Sequence, residues 1–238
     1  MHPKQAYMAG QLKEVRNRIK SVQSTQQITK AMKMVSAAKL RRAQDAIIQM
    51  RPYAQKLQEM LSNIVSASEA GAEMALAAER PAEKVLLIVI SSDRGLAGAF
   101  NANVVKLTKS TIAEKFADQA KNGNVTIWNI GKKAYENLTK LNFKTDATFK
   151  DIFLQLSFEK VQEAAAAARQ AFLNKEFDVV EIIYSQFKNA ATQRFVAERY
   201  LPIPRAEKKE GSTQADFIFD PEKNTLVAEL MPRILNTQ

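Results

Sequence analysis

The chain has 238 residues, of which 46% are apolar and 25% charged, ordinary values for a folded globular protein. It carries no cysteine, and its one histidine is His2, so disulfides, thiol nucleophiles, zinc–thiolate sites and imidazole chemistry are excluded or nearly so. The net charge of +10 points to an acidic counterpart: nucleic acid, anionic lipid or an acidic protein surface.

The N-terminus, "MHPKQAYMAGQLKE", lacks the apolar run of a signal peptide. No stretch approaches the eighteen apolar residues of a spanning helix. The "MAG" at residue 8 suggests a natural start there, with the first seven residues as a leader or cloning scar.

Residues 9–66 contain no glycine after Gly10 and one proline, Pro52, and are rich in Ala, Leu, Gln, Lys, Arg and Met, which predicts one long helix. A single heptad register fits its whole length. The ends of that register carry an apolar seam: Leu12, Val15, Ile19 and Val22 on one side, Leu40, Ile47, Met50, Leu57, Leu61 and Ile64 on the other. In the middle the seam turns polar at Gln26, Thr29, Lys33 and Ser36, while Ile28, Ala31, Met34, Val35 and Ala38 form a displaced apolar stripe. Eleven Lys and Arg against three acids put a surplus of eight positive charges on this segment. At 1.5 Å per residue the helix is roughly 85 Å long and is expected to protrude. Its seam requires a second helix or an enclosing partner. Pro52 removes one backbone hydrogen bond and is expected to bend it.

Residues 67–83 read as a linker, after which the texture changes. "KVLLIVISSD" is a buried strand leading through "RGLAGAF" into a helix from about Asn101 to Asp118. "VTIWNIG" is a second strand, "KKAYENLTKL" a short helix, and Phe158–Asn174 an amphipathic helix. "FDVVEIIYSQF" and "QRFVAERYLPI" close the pattern. Alternating strands and helices predict a Rossmann-like α/β domain over 84–220 with a mostly parallel sheet. The predicted class is therefore α/β plus a long coiled-coil helix. A further helix is expected to begin near Pro221 and to continue through residues 221–238.

The most site-like local motif is Ser91–Asn101, a strand, a glycine-bearing turn and a helix start that could offer N–H groups to an anion. It matches neither G-x-G-x-x-G nor a P-loop, and close packing at Gly95 and Gly98 is the more economical reading. Asp93 is a lone carboxylate without a histidine, cysteine or second acid, so a cap on the following turn is favoured over acid–base chemistry. No metal or cofactor is implied. The basic helix could serve as a nucleic-acid or scaffold arm, but Tyr53 is the only aromatic residue in 9–66 and the charges overlie the heptads.

The blocks "QLKEVRNRIKSVQSTQQITKAMKMVSAAKLRRAQ", "RPYAQ" and "SSDRGLAGAFNANV" resemble the gamma subunit of the F-type rotary ATP synthase. The similarity continues through "YLPIP" to "DFIFDPEKNTL". The resemblance implies a non-catalytic rotor shaft that couples ion-driven rotation to ATP synthesis or hydrolysis. Its partners would be the alpha and beta subunits of the catalytic ring, the epsilon subunit and the membrane c-subunit ring, with no nucleic acid. Membrane association would come only through the complex, on the cytoplasmic face of a bacterial inner membrane. Ile28, Met32, Lys33, Met34 and Val35 are then expected to face the surrounding ring, and Lys39, Arg42 and Arg94 an acidic lever segment of the beta subunits. The family continues beyond "PRILNTQ" into a second shaft helix, so a fragment, a separately supplied helix or a natural truncation are all open. Ala97 stands where many relatives carry cysteine, and the dithiol regulation of chloroplast relatives cannot operate. A third class, a nucleotide-binding enzyme using Ser91–Asn101, is the least supported.

Overall fold

The computed structural model describes residues 3–67, 75–189 and 192–204 together with Leu235. Side chains are described from Gln11 onward, without those of 58, 59 and 61–67. The seam positions Leu61 and Ile64, and all of the expected C-terminal helix except Leu235, therefore lie outside the described side chains. The chain divides into two compact units, Met1–Lys56 and Leu57–Gln238.

Helix α1 spans Pro3–Ala67, with Pro52 inside it. In the first unit its seam residues Leu12, Val15, Ile19, Val22, Leu40, Ile47 and Met50 are all exposed. The polar middle of the register is satisfied locally: the hydroxyl of Thr25 donates to the carbonyl of Ser21 at 2.9 Å, and that of Thr29 to Thr25 at 2.8 Å. These back-bonded threonines make no demand on a polar partner.

The second unit is built on a five-stranded sheet in the order β3-β2-β1-β4-β5. Strand β1 (Val85–Ile90) lies at its centre, parallel to β2 (Val125–Ile130) and to β4 (Val179–Phe187). Its sequence, VLLIVI, is apolar without alternation because both of its faces are covered. Val85, Leu87 and Val89 pack with Val104 and Ile112 of α2 (Phe100–Lys115) and with Ala134 and Leu138 of α4 (Lys132–Lys140). Leu86 and Ile88 pack on the other face with Ala168 and Phe172 of α5 (Phe158–Leu173), and with Leu57, Leu76 and Leu201. Leu57, a seam position in the heptad register, thus belongs to this core. Leu76 and Ala77, within the segment read as a linker, are also buried there.

Three parallel pairings and one antiparallel pairing, between β4 and β5 (Gln193–Leu201), make the sheet mixed. The order reverses between β1 and β4, the place where open α/β sheets form their crevice. Both edges are blunted: β3 is only Thr145–Asp146, and β5 carries Arg194, Glu198 and Arg199. Glu181, buried in β4, is held by the Lys115 ammonium at 3.2 Å from each oxygen and by Arg199 Nε at 3.5 Å. A buried carboxylate is tolerable only with such partners.

The helix expected to run to Asp118 ends at Lys115. Phe116 leaves helical geometry (φ −132°) to bury its ring in the core, and a separate short helix, α3 (Ala117–Lys121), follows. Elements this short, like β3 and the 3₁₀ turn Ile152–Gln155, carry no periodicity for a sequence pattern to show.

Between the sheet and α5 lies a cavity of about 200 Å³. Five alanines in a row, Ala164–Ala168, leave the helix too slender to fill it. At its wall the Tyr184 hydroxyl donates to Glu198 Oε2 at 2.9 Å. Burial, then the Glu198 charge, push the Tyr184 hydroxyl up to about 12.

Two predictions follow from these contacts. Gly131 precedes α4 with φ +102°, and a Cβ there would run into the Ser91 carbonyl. Gly131→Ala should therefore cost about 2–4 kcal/mol, read as a fall in the thermal midpoint. Because the Tyr184 pKa is raised on folding, the stability it contributes is complete below the unfolded value near 10 and is lost as pH rises from there toward 12. Ultraviolet titration should show two late-ionising tyrosines, Tyr184 and Tyr200, the latter raised by burial, of which Tyr184 alone moves to lower pH in Glu198→Gln.

Candidate functional site

On α1, Ile28, Met32, Met34 and Val35 are between 52% and 60% exposed. Helical geometry places Ile28, Met32 and Val35 on one face, with Ala31, Met34 and Ala38 beside them. Lys39 and Arg42, four and seven residues beyond Val35, extend that same face as a charged continuation. Lys33 does not join them: it falls on the heptad line, about 100–160° around the helix from Ile28, Met32 and Val35 at 3.6 residues per turn. The residues grouped by sequence are therefore presented on two sides of one rod. Among the described residues, none of Lys33, Lys39, Arg42 and Arg94 forms an ion pair within the chain. Their charge is left for something else.

The loop after β1 is held from within. Ser92 N–H donates to Asn101 Oδ1 at 3.1 Å, while the Ser92 hydroxyl accepts from Asn101 Nδ2 at 2.8 Å and donates to the Arg94 carbonyl at 2.7 Å. Asn101, at the second position of α2, thus anchors Ser92, nine positions before it. The loop also closes the N-terminus of α4. Asp93 Oδ1 accepts from Lys132 N–H at 3.2 Å, Ser91 Oγ from Ala134 N–H at 2.9 Å, and the Ser92 carbonyl from Lys133 N–H at 3.1 Å. Asp93 therefore caps the helix after β2 and not the turn after itself, because the neighbouring strands bring that helix start beside it.

This geometry closes the N-terminus of α4 to phosphate, while α2, the helix that follows the loop, starts from Ala99 without a side-chain cap. The free N–H groups of α4 are taken, and a carboxylate already sits at the positive end of the helix dipole. What remains exposed is Arg94 and Leu96, the latter 96% exposed with φ +61°. Among the described residues, no group of three or more His, Cys, Asp or Glu could hold a metal ion, and no helix is long and apolar enough to cross a membrane. The anchor Asn101, the capping role of Asp93 and the cavity wall of Trp128, Tyr184 and Glu198 are not visible in sequence, since each depends on strand register.

The family described as ATP synthase matches residues 11–238. The ATP synthase gamma chain of Cytophaga hutchinsonii is 47% identical over 230 residues, covering 95% of this chain and 78% of its own length. That of Flavobacterium johnsoniae is 46% identical over 227 residues, covering 95% and 77%. Among solved structures, a chain of the Euglena gracilis mitochondrial ATP synthase rotor superposes with a TM-score of 0.59 at 22% identity, over 96% of this chain and 82% of that one, a likeness of fold. With a family match over nearly its whole length and close relatives that share one name, the chain belongs to the ATP synthase gamma chain family.

Proposed function

We propose that this chain is the central-stalk rotor subunit of an F-type ATP synthase, a mechanical coupler that makes and breaks no bond itself. The observation that carries the reading is α1: a single helix with an uncovered apolar stripe, continued by unpaired cations and opposed by a lysine on its far side. A partner that meets all of these must surround the rod, as a ring of alpha and beta subunits would. Residues 9–66 act as the shaft, its seam pairing with a second helix that 221–238 would begin. The α/β domain grips the epsilon subunit and the c-subunit ring. The complex is peripheral to the membrane, on its cytoplasmic face in a bacterium.

Coupling then works by differential binding. As the asymmetric shaft turns, each beta subunit meets the stripe, the cationic continuation or the polar side, and the conformer that fits best is favoured in turn. No observation supports the nucleic-acid arm.

Two experiments bear on this. Reversal of Lys33, Lys39, Arg42 and Arg94 to Glu in the assembled complex removes several charge pairs at about 0.2–1 kcal/mol each and should cut ion pumping per ATP hydrolysed roughly tenfold. Unchanged coupling would sink the charge part of the reading. Replacing Ile28, Met34 and Val35 by Ser should leave the thermal stability of the isolated chain within about 0.5 kcal/mol, since these side chains are exposed, yet weaken its retention by the alpha/beta ring. A loss of stability in the isolated chain would mean that the stripe is covered by the chain itself.

A further inference from the structure

The cavity between the sheet and α5 is unused by the rotor role, and its wall is chemically uneven. One side is aromatic: Trp128 and Phe149 both line it, their ring centroids 5.3 Å apart and tilted at 51°. The floor is aliphatic, from Ile88, Ile130 and Ile182. On the far wall stands a carboxylate, Glu198, with Tyr184 donating to one of its two oxygens. No Lys or Arg of the described residues forms an ion pair with Glu198. Arg199 also borders the cavity, but its guanidinium is engaged with Glu181, which faces the opposite side of the sheet.

From this arrangement we infer that the cavity is a binding site for a small organic monocation: a compact apolar or aromatic body carrying one ammonium group. The parts divide the work. Trp128 lies three strand spacings, about 14 Å, from Glu198 along one row of the sheet, so the aromatic end packs against the apolar body and leaves the ammonium to the carboxylate. The carboxylate supplies the counter-charge, worth more inside a low-polarity pocket than in water. The raised Tyr184 hydroxyl agrees with this, since Glu198's charge acts on it there after burial. Size is compatible: an apolar cavity of about 150 Å³ accepts benzene, so the 200 Å³ here holds one ring and an ammonium group. An anion would meet Glu198 and no free cation on the described wall; a neutral body would leave the Glu198 charge without a counter-charge among the described residues. A bound cation would bridge β2, β4, β5 and α5, tying that helix to the sheet. The inference is independent of the rotor reading.

The chain supplies its own probe, because Trp128 is its only tryptophan. Fluorescence of the full 238-residue chain would be titrated at neutral pH with benzylammonium, benzyl alcohol and phenylacetate, three similar bodies of charge plus one, zero and minus one. The expected result is a saturable change in Trp128 emission, with benzylammonium at least about tenfold tighter than benzyl alcohol and phenylacetate not binding. Glu198→Gln should erase the tenfold preference while leaving the alcohol's affinity within about twofold. Tyr184→Phe, which keeps the carboxylate, should retain the preference. Ala165→Leu should fill the space and abolish all binding; if its circular dichroism shows misfolding, Ala164→Val takes its place. Equal affinity for cation and alcohol in the unaltered chain would overturn the inference, as would a preference that survives Glu198→Gln. Absence of any saturable change would also overturn it and leave the cavity a dry void in the packing.

Discussion

Twelve large apolar side chains between Leu12 and Met50 of α1 are at least a third exposed, and among the described residues no acid pairs with the interspersed cations Lys33, Lys39 and Arg42. Full burial of such a side chain stabilises by about 1.5–3 kcal/mol, so even at half exposure the helix holds on the order of 10 kcal/mol of unrealised burial. That is comparable with the entire stability of a typical domain. A single helix cannot recover it alone, however good its propensity. The constraint governs how the rest is understood: the functional content of α1 lies in what it must be surrounded by.

The placement of residues around the helix sharpens this. A uniform apolar rod would be gripped equally from every direction and would transmit no signal as it turned. Here the stripe of Ile28, Met32 and Val35, its charged extension in Lys39 and Arg42, and Lys33 on the far side make three unlike surfaces on one cross-section. On the proposed reading, that angular difference distinguishes one surrounding subunit from the next. Thr25 and Thr29 keep the middle polar without requiring hydrogen bonds from outside, because they return their hydroxyl protons to the helix's own carbonyls. The helix can therefore slip past a socket there without leaving a buried donor unsatisfied.

The α/β domain was legible in the sequence where residue patterns are long. VLLIVI and VTIWNI announce buried strands, and Phe158–Asn174 announces a helix, because continuous or periodic apolar spacing survives without knowledge of neighbours. What depends on register was not legible. Asp93 sits three residues after the end of β1 and looks like a local cap. It serves α4 instead, since the parallel pairing Ile90↔Ile130 brings both strand ends level. Leu57 reads as one more heptad position, yet it is core to the second unit through Leu76 and Leu201, far along the chain. Likewise Glu198 gives no hint in sequence that Tyr184 lies within hydrogen-bond reach, because that contact follows from the antiparallel pairing of β4 with β5.

The same register explains why the loop after β1 closes the N-terminus of α4, which fits the mechanical part that the proposed reading gives it. In a nucleotide-binding relative of this topology, the turn at the reversal of strand order leaves helix N–H groups free for phosphate. Here Ser91, Ser92 and Asp93 give their oxygens to the first turn of α4, and Asn101 ties the loop back to α2. Gly131 lets the two strand ends approach so closely that no side chain fits between them. Each bond contributes only about 1 kcal/mol, but together they fix the backbone from which Arg94 projects. A charge that is to act on a passing partner needs such a rigid base, because a mobile side chain on a mobile loop would lose in ordering entropy much of what the ion pair contributes. On the proposed reading, the crevice position that other folds of this kind use to hold a ligand serves to hold the Arg94 cation still.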